Sequence, residues 1–396
     1  MPGRSHILLI LSLAFMGVMG VSIILPVLPR MADHFHLVGA RAGWLVAAFT
    51  LPSALATPPS GILADRFGRK AILLPGLALF AAGGVGCALA DDLETLLLCR
   101  AVQGLGAAPL GILYGTLAGD CCTEEERPRM MGLVGATISI ATALYPLIGG
   151  TLGEFSWRLP FWFSLLALPV AGLALCVPLH RPAARPDWKS YAAESRSVIL
   201  RPQAVGIFCL TFLCFCMLYG PSITYFPLLA DELYQASPSR IGLVFTLASL
   251  GTAGVACNLG RLNRRFSRHT LMLAATGCYV IGQSLILLFP RCFASIWPLA
   301  IPICAGGMAQ GLTFPLLTAS LASLAETRNR AVVMAMNGSV LRLSQSAAPL
   351  FFGIGWTLAG WSGPYLMGLG MAAGIGLLAV RVFPRDRAGR AGMSRP

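Results

Sequence analysis

Charge is scarce in this sequence. Only 11% of its 396 residues are Asp, Glu, Lys or Arg, where a soluble domain carries roughly 25%. With 56% apolar residues and a mean hydropathy of +0.74, that scarcity excludes an ordinary water-soluble fold. Lysine is almost absent, standing only at Lys70 and Lys189, so the basic character rests on arginine. Histidine is thin as well: there are five, none at a ligand interval from a cysteine, so neither a metal site nor a cofactor is expected. A nucleophile–base arrangement and a phosphate loop are also missing. Gly104-Leu105-Gly106 is a fragment inside an apolar run, and an enzyme is disfavoured. Most of the twelve cysteines fall within apolar runs, where a thiol acts as a small hydrophobe rather than half of a disulfide.

What the chain has instead is one long apolar run after another. Crossing a bilayer takes about 20 mostly apolar residues, and in lipid the backbone must satisfy its own hydrogen bonds, so such runs are helices. Twelve are predicted, at 7–29, 41–62, 71–90, 94–118, 130–153, 159–180, 204–229, 239–260, 270–290, 294–323, 331–357 and 361–383. The first continues to about Pro29 without a small-residue cleavage site, which reads as a spanning helix and not as a signal peptide. The longest polar stretch, His180 to Pro202, separates two bundles, 1–180 and 204–383, with 181–203 as a cytoplasmic linker and 384–396 as a cytoplasmic tail.

Basic residues set the expected orientation. With the N-terminus inside, 22 of the 29 Lys and Arg fall in inner segments and five in outer ones. The positive-inside rule then places both termini in the cytoplasm of a multi-pass protein of the plasma (inner) membrane. It also accounts for the net charge of +13 without nucleic acid as a partner.

The bundles repeat one another in order, at an offset of about two hundred residues. Leu28-Pro29-Arg30-Met31-Ala32-Asp33 matches Phe226-Pro227-Leu228-Leu229-Ala230-Asp231, and Gln103-Gly104-Leu105 matches Gln310-Gly311-Leu312. Pro146 with Gly150 matches Pro349 with Gly353, and Trp157 with Pro160 matches Trp361 with Pro364. Parallel halves of this kind place a central site between them near the midplane.

Three segments carry recognisable chemistry. The loop between spans two and three reads Gly61-Ile62-Leu63-Ala64-Asp65-Arg66-Phe67-Gly68-Arg69-Lys70. Gly61 would let two helices approach closely, Asp65 can accept donors at a helix N-terminus, and Arg69 can pair with Asp120 at the inner end of span four. With Arg66, Gly68, Lys70 and Arg127 these residues form a candidate gating latch. Span four carries Arg100 followed by Gln103-Gly104, and span five carries Tyr145-Pro146-Leu147-Ile148-Gly149-Gly150. Together they resemble the major facilitator superfamily. The loop matches its signature Gly-x-Leu-Ala-Asp-Arg-x-Gly-Arg-Lys/Arg at nearly every position. The span-four segment resembles its fourth-helix motif, and Pro146, Gly149 and Gly150 resemble the Gly-Pro-x-x-Gly-Gly helix of its drug–proton antiporters. Tyr145 and Ala141 depart from that last motif, each standing where a glycine is expected. The resemblance spans essentially the whole chain. It implies an all-α fold of 12 transmembrane helices in two six-helix halves, a latch that closes the inner side in one state and breaks in the other, and a monomer.

Substrate contacts are expected from Arg100, Gln103, Tyr114, Tyr219, Gln310, Arg342 and Gln345. An Arg inside a span costs roughly 2.5–3.5 kcal/mol on insertion scales and usually faces a cavity; Arg342 lies about 16 Å along its helix. No Asp or Glu stands in the middle of any span, so two cations lack counter-charges. That points to a substrate with an acid group, such as an organic acid, a siderophore-like chelator or an acidic drug. A lipophilic cation, with Arg100 serving a proton site, is the competing expectation. Asp33, Glu154 and Asp231, all at outer span ends, are the candidate proton carriers. The sequence thus reads as a proton-coupled exporter of a small molecule. The alternatives are an importer or facilitator of an organic anion, or a non-transporting membrane sensor or scaffold.

Overall fold

A computed structural model describes residues 3–37, 39–179, 200–324 and 330–384. Among the described residues there is no strand. The spanning helices are α1 (Arg4–His34), α2 (Trp44–Phe67), α3 (Arg69–Leu89), α4 (Leu93–Cys121), α5 (Arg127–Phe155) and α6 (Leu159–Cys176). After the linker come α7 (Pro202–Tyr234), α8 (Pro238–Arg265), α9 (Arg268–Cys292), α10 (Trp297–Leu324), α11 (Arg330–Ala359) and α12 (Gly363–Val382). The expected linker and tail lie almost wholly outside the described residues.

Several helices carry breaks with identifiable causes. In α1, Pro26 begins a 3₁₀ turn at Leu25–Val27, because proline supplies no N–H to the helix ladder. In α7 the eight residues Leu218–Tyr225, with Pro221 inside, form a π-helical segment; such bulges tend to mark functional positions. By hydropathy alone Met336–Val382 is a single stretch of 47 residues. It folds back on itself at Gly360, whose φ of +58° is a left-handed value that glycine adopts at little cost. Boundaries differ modestly from those expected. α2 runs on to Phe67, because the Asp65–Phe67 turn continues the helix past the apolar run.

Helix direction alternates, so every turn lies at one of two ends. The latch end holds the α2–α3 turn and the start of α1; the far end holds the α1–α2 and α7–α8 turns. Leu98, Leu358 and Leu377 are 67%, 80% and 72% exposed, as expected of side chains whose solvent is lipid. Buried side chains form two clusters. One lies wholly within α7–α12, built on residues such as Leu210, Met272, Leu316 and Ile375. The other fills α1–α6 and takes in Phe226, Ile241, Phe245, Ile303 and Tyr365 from the second half. All five sit toward the far end of their helices, so the two halves share a packed core at that end.

Candidate functional site

The far end is sealed by backbone-to-backbone contacts that require glycine. A Cβ on Gly149 would collide with the Ile23 carbonyl of α1, and one on Gly242 with the Pro146 carbonyl. At Gly150 a Cβ would stand 2.5 Å from the Pro238 carbonyl, and at Gly43 it would stand 2.9 Å from that of Pro349. The antiporter-like segment of α5 is therefore wedged between α1 and α8, with α2 against α11 on the other side. Threonine and serine extend the α5–α8 seam inward. Thr246 Oγ1 donates to the Ala143 carbonyl at 2.8 Å, and Ser249 Oγ donates to that of Thr142 at 3.1 Å.

A polar clamp caps this seam. Glu154 Oε1 accepts the Ser239 backbone N–H at 3.1 Å and the Ser239 hydroxyl, in the first turn of α8. Its Oε2 faces Arg30 Nη2 at 3.4 Å, and Arg30 Nη1 also donates to the Glu154 carbonyl at 2.9 Å. Glu154 thus holds α1 and α5 of the first half against α8 of the second. Asp33 and Asp231 occupy equivalent places in the repeat near Arg30 and within each other's field, but neither makes such a bridge among the described residues.

Toward the latch end the halves part. Among the described residues, no atom of another element lies within 4 Å of where a Cβ would stand at Gly132 and Gly135 of α5, Gly254 and Gly260 of α8, Gly115 and Gly119 of α4, or Gly338 of α11. The result is a cleft, closed at the far end and open at the latch end. At its apex Arg342 Nη1 donates to Ser53 Oγ at 2.8 Å, from α11 to α2. The guanidinium rests over Gly111 of α4, where any Cβ would run into Nη2. Tyr114 and Tyr219 lie within the field of this cation, and the Tyr219 hydroxyl lies beside Gln345. Phe215 stacks on Tyr219 at 6.5 Å and meets Phe314 edge-on at 5.6 Å.

The expected substrate set thus divides into three places. Arg342, Tyr114, Tyr219 and Gln345 converge at the apex. Arg100 is 0% exposed inside the first half. It donates from Nη1 to the Gly20 carbonyl and to Gln103 Oε1, both at 2.9 Å, and from Nε to the Leu45 carbonyl at 3.2 Å. The Phe49 and Phe161 rings flank it at 4.6 and 5.8 Å, and Nη2 has no hydrogen-bond partner among the described residues. Gln310 is enclosed in the second half, accepting from the Tyr279 hydroxyl at 2.9 Å. Sequence reasoning missed Ser53, Ser239 and Gly242, of which only Gly242, set inside an apolar helix, carried a signal; Gly111 falls at helical spacing on the Arg100 face of span four.

At the latch end Arg69 is 6% exposed and donates to Asp65 and, through Nε at 3.0 Å, to Asp120. These three tie the ends of α2, α3 and α4 within one half. Lys70 Nζ donates to the Leu175 carbonyl at 2.7 Å, Arg127 to that of Gly119 at 2.8 Å, and Arg66 lies over the Phe67 ring at 5.4 Å. Gly68 has a φ of +101°, a backbone that glycine alone takes readily. Gly61 does not make the close helix approach expected of it: a Cβ there would meet only Ile112 Cδ1 at 3.5 Å, an ordinary contact. The tight approach of α2 to α4 is at Gly104, where a Cβ would run into the Phe49 carbonyl.

Two helical bundles sharing a core at one end and parting at the other, with a polar apex between them, define a multi-pass membrane carrier. The family model of the Major Facilitator Superfamily matches residues 10–234 and 207–393. The chain belongs to that superfamily, and it is a membrane transporter rather than an enzyme. It is 26% identical over 386 residues to "Multidrug resistance protein 2" of Bacillus subtilis, covering 95% of each chain. Over 168 residues it is 32% identical to "Quinolone resistance protein NorA" of Staphylococcus aureus, 42% of this chain and 43% of that one. Among solved structures, a bacterial homologue of the human lysosomal transporter Spinster, captured inward-facing and unoccupied, superposes with a TM-score of 0.74. That match is 17% identical, covers 99% of this chain and 100% of the other, and bears on the fold.

Proposed function

We propose that this carrier exports a small organic molecule bearing an acid group, in exchange for protons, across the plasma membrane by alternating access. The observation that carries the reading is the cleft itself, sealed at the far end and open at the latch end. In the orientation that the basic residues favour, both termini are cytoplasmic and the cleft opens inward. That is the state in which an exporter loads. The names of the multidrug and quinolone resistance relatives favour outward transport of drug-like compounds.

Of the three outer carboxylates, Glu154 suits proton coupling best, because its charge bridges the halves. An external proton on Glu154 weakens its bonds to Ser239 and Arg30 and frees the far end to open. Asp33 and Asp231 then serve as neighbours that tune the local field. The latch of Asp65, Arg69 and Asp120 holds the helix ends that must close over the cleft in the opposite state, and one chain suffices for the cycle.

Whole-cell accumulation of candidate acids, with and without the protein and a protonophore, tests this reading. Lower steady-state accumulation in expressing cells, abolished by the protonophore, is the expected result. Protein-driven accumulation would replace export with uptake, and no difference for any compound would favour a non-transporting role.

A further inference from the structure

Resting on the export reading, we infer that the substrate's acid group is received by Arg342 alone at the apex of the cleft, and that Ser53 holds its place in the empty carrier. A guanidinium carries five N–H donors, each of which needs an acceptor from protein, water or ligand. Arg342 has no carboxylate partner among the described residues, and its one described acceptor is the neutral Ser53 hydroxyl. Charge-assisted bonds to a carboxylate are about twice as strong as neutral ones, and a carboxylate can take two parallel N–H groups. A bound acid therefore displaces the serine.

Access and shape agree with this. One turn toward the latch end on the same helix faces, at Gly338 and Gly115, an added Cβ would meet no atom of another element within 4 Å among the described residues. The guanidinium thus sits where the cleft begins. Gly111 is the seat that keeps it there, because any side chain on that position would occupy the place of Nη2. The Tyr114 and Tyr219 hydroxyls and the Gln345 amide supply neutral donors around it. Phe215 and Phe314, stacked near Tyr219, supply an apolar wall. The chemical class that fits is a small aromatic or amphipathic carboxylate. Arg100 cannot play this part. It is fully enclosed, with two backbone carbonyls and the Gln103 amide as acceptors and two aromatic rings as walls.

The arrangement also couples binding to motion. Ser53 lies in the first half and Arg342 in the second, so their hydrogen bond ties the halves at the deepest point of the cleft. Binding replaces that tie with a bond to the substrate and frees α11 from α2 there.

Purified full-length protein in lipid nanodiscs, titrated by calorimetry with salicylate, salicylamide and tetraphenylphosphonium, tests the inference. Salicylate should bind at least about tenfold more tightly than its uncharged amide. Ser53→Ala, which removes the competitor and keeps the cation, should tighten salicylate roughly two- to tenfold. Gly111→Ala, which pushes the guanidinium aside, should weaken it, and Arg342→Gln should erase the preference over the amide. Equal affinity for salicylate and salicylamide, preference for tetraphenylphosphonium, or no response to Ser53→Ala would overturn the inference. Each of those results leaves the cellular export measurement untouched, so failure of this site and failure of the export reading are separable.

Discussion

Replacing Glu154 by Gln tests whether the far-end clamp holds the carrier closed. Both charges are partly wet, with side chains 40% exposed for Arg30 and 34% for Glu154, and they lie 3.4 Å apart. Exposed pairs of this kind contribute about 0–1 kcal/mol, and the long separation argues for the low end. The larger share comes from the bond to the Ser239 N–H at 3.1 Å. There a carboxylate caps the N-terminus of α8 and meets its dipole, worth about 0.3–1 kcal/mol. Together these amount to about 0.3–2 kcal/mol, or a factor of roughly 2–30 in the ratio of closed to open far end. Gln keeps a carbonyl that can accept from Ser239, which puts the expected change toward the lower figure. Val27 is 0% exposed and packs at Gly153 inside the seam, so a cysteine there reports opening. In a Cys292→Ser background on intact cells, an impermeant maleimide should label Val27→Cys faster by about that factor once Glu154→Gln is added. Acidifying the outside should speed labelling with Glu154 present, because the clamp requires the charged form and is lost as pH falls through its titration. In the Glu154→Gln variant that acceleration should vanish. An unchanged rate in Glu154→Gln, or equal pH sensitivity with and without the acid, would refute the clamp.

The remaining predictions use other contacts. Asp120→Asn removes one of the two acids on the nearly buried Arg69. It should lower the melting temperature and slow transport while the protein still inserts, as read by efflux normalised to membrane protein. Gly149→Ala drives a methyl into the Ile23 carbonyl; it should part α1 from α5 and raise Val27→Cys labelling in the same assay, whereas normal labelling and transport would make the glycine a packing convenience. For topology, Cys292 is exposed at the far end of α9, while Cys121 and Cys122 stand at the latch end of α4. An impermeant maleimide should reach Cys292 from outside; labelling of Cys121 on intact cells would invert the orientation.

Much of this architecture is legible in the sequence because a bilayer imposes a simple rule. Runs such as 71–90 and 270–290 are long and apolar enough to cross, and α3 and α9 form there. The parallel repeat of Leu28–Asp33 and Phe226–Asp231 announces two related halves, and both segments end their helices at the same end of the molecule. Partnership is harder to read. In a membrane, lipid and protein core are equally apolar, so hydropathy does not tell a lipid-facing Leu98 from the buried Leu96. The two arginines show the same limit. Each lies on a polar helix face, yet Arg100 is spent on carbonyls of α1 and α2 while Arg342 reaches across to Ser53, and only the helix packing decides which.

Glycine is where sequence and packing meet most directly. In the loop signature, Gly61 reads as the closely packed position, yet it has room for a methyl, while Gly68 is fixed by its backbone angle. At the far end Gly149, Gly150 and Gly242 are all required, and each lies against a backbone carbonyl of another helix. An added side chain there has only backbone to push on, so it must part the helices. At Gly132, Gly135 and Gly254, toward the latch end, an added Cβ would meet no atom of another element within 4 Å among the described residues. On the export reading the halves must meet along this inner stretch once the far end opens, and its small residues let α5 and α8 approach without side-chain rearrangement. One pair of helices can then serve as hinge wall in one state and closed gate in the other. Glycine is spread along α5 and α8 rather than concentrated at the seam now closed.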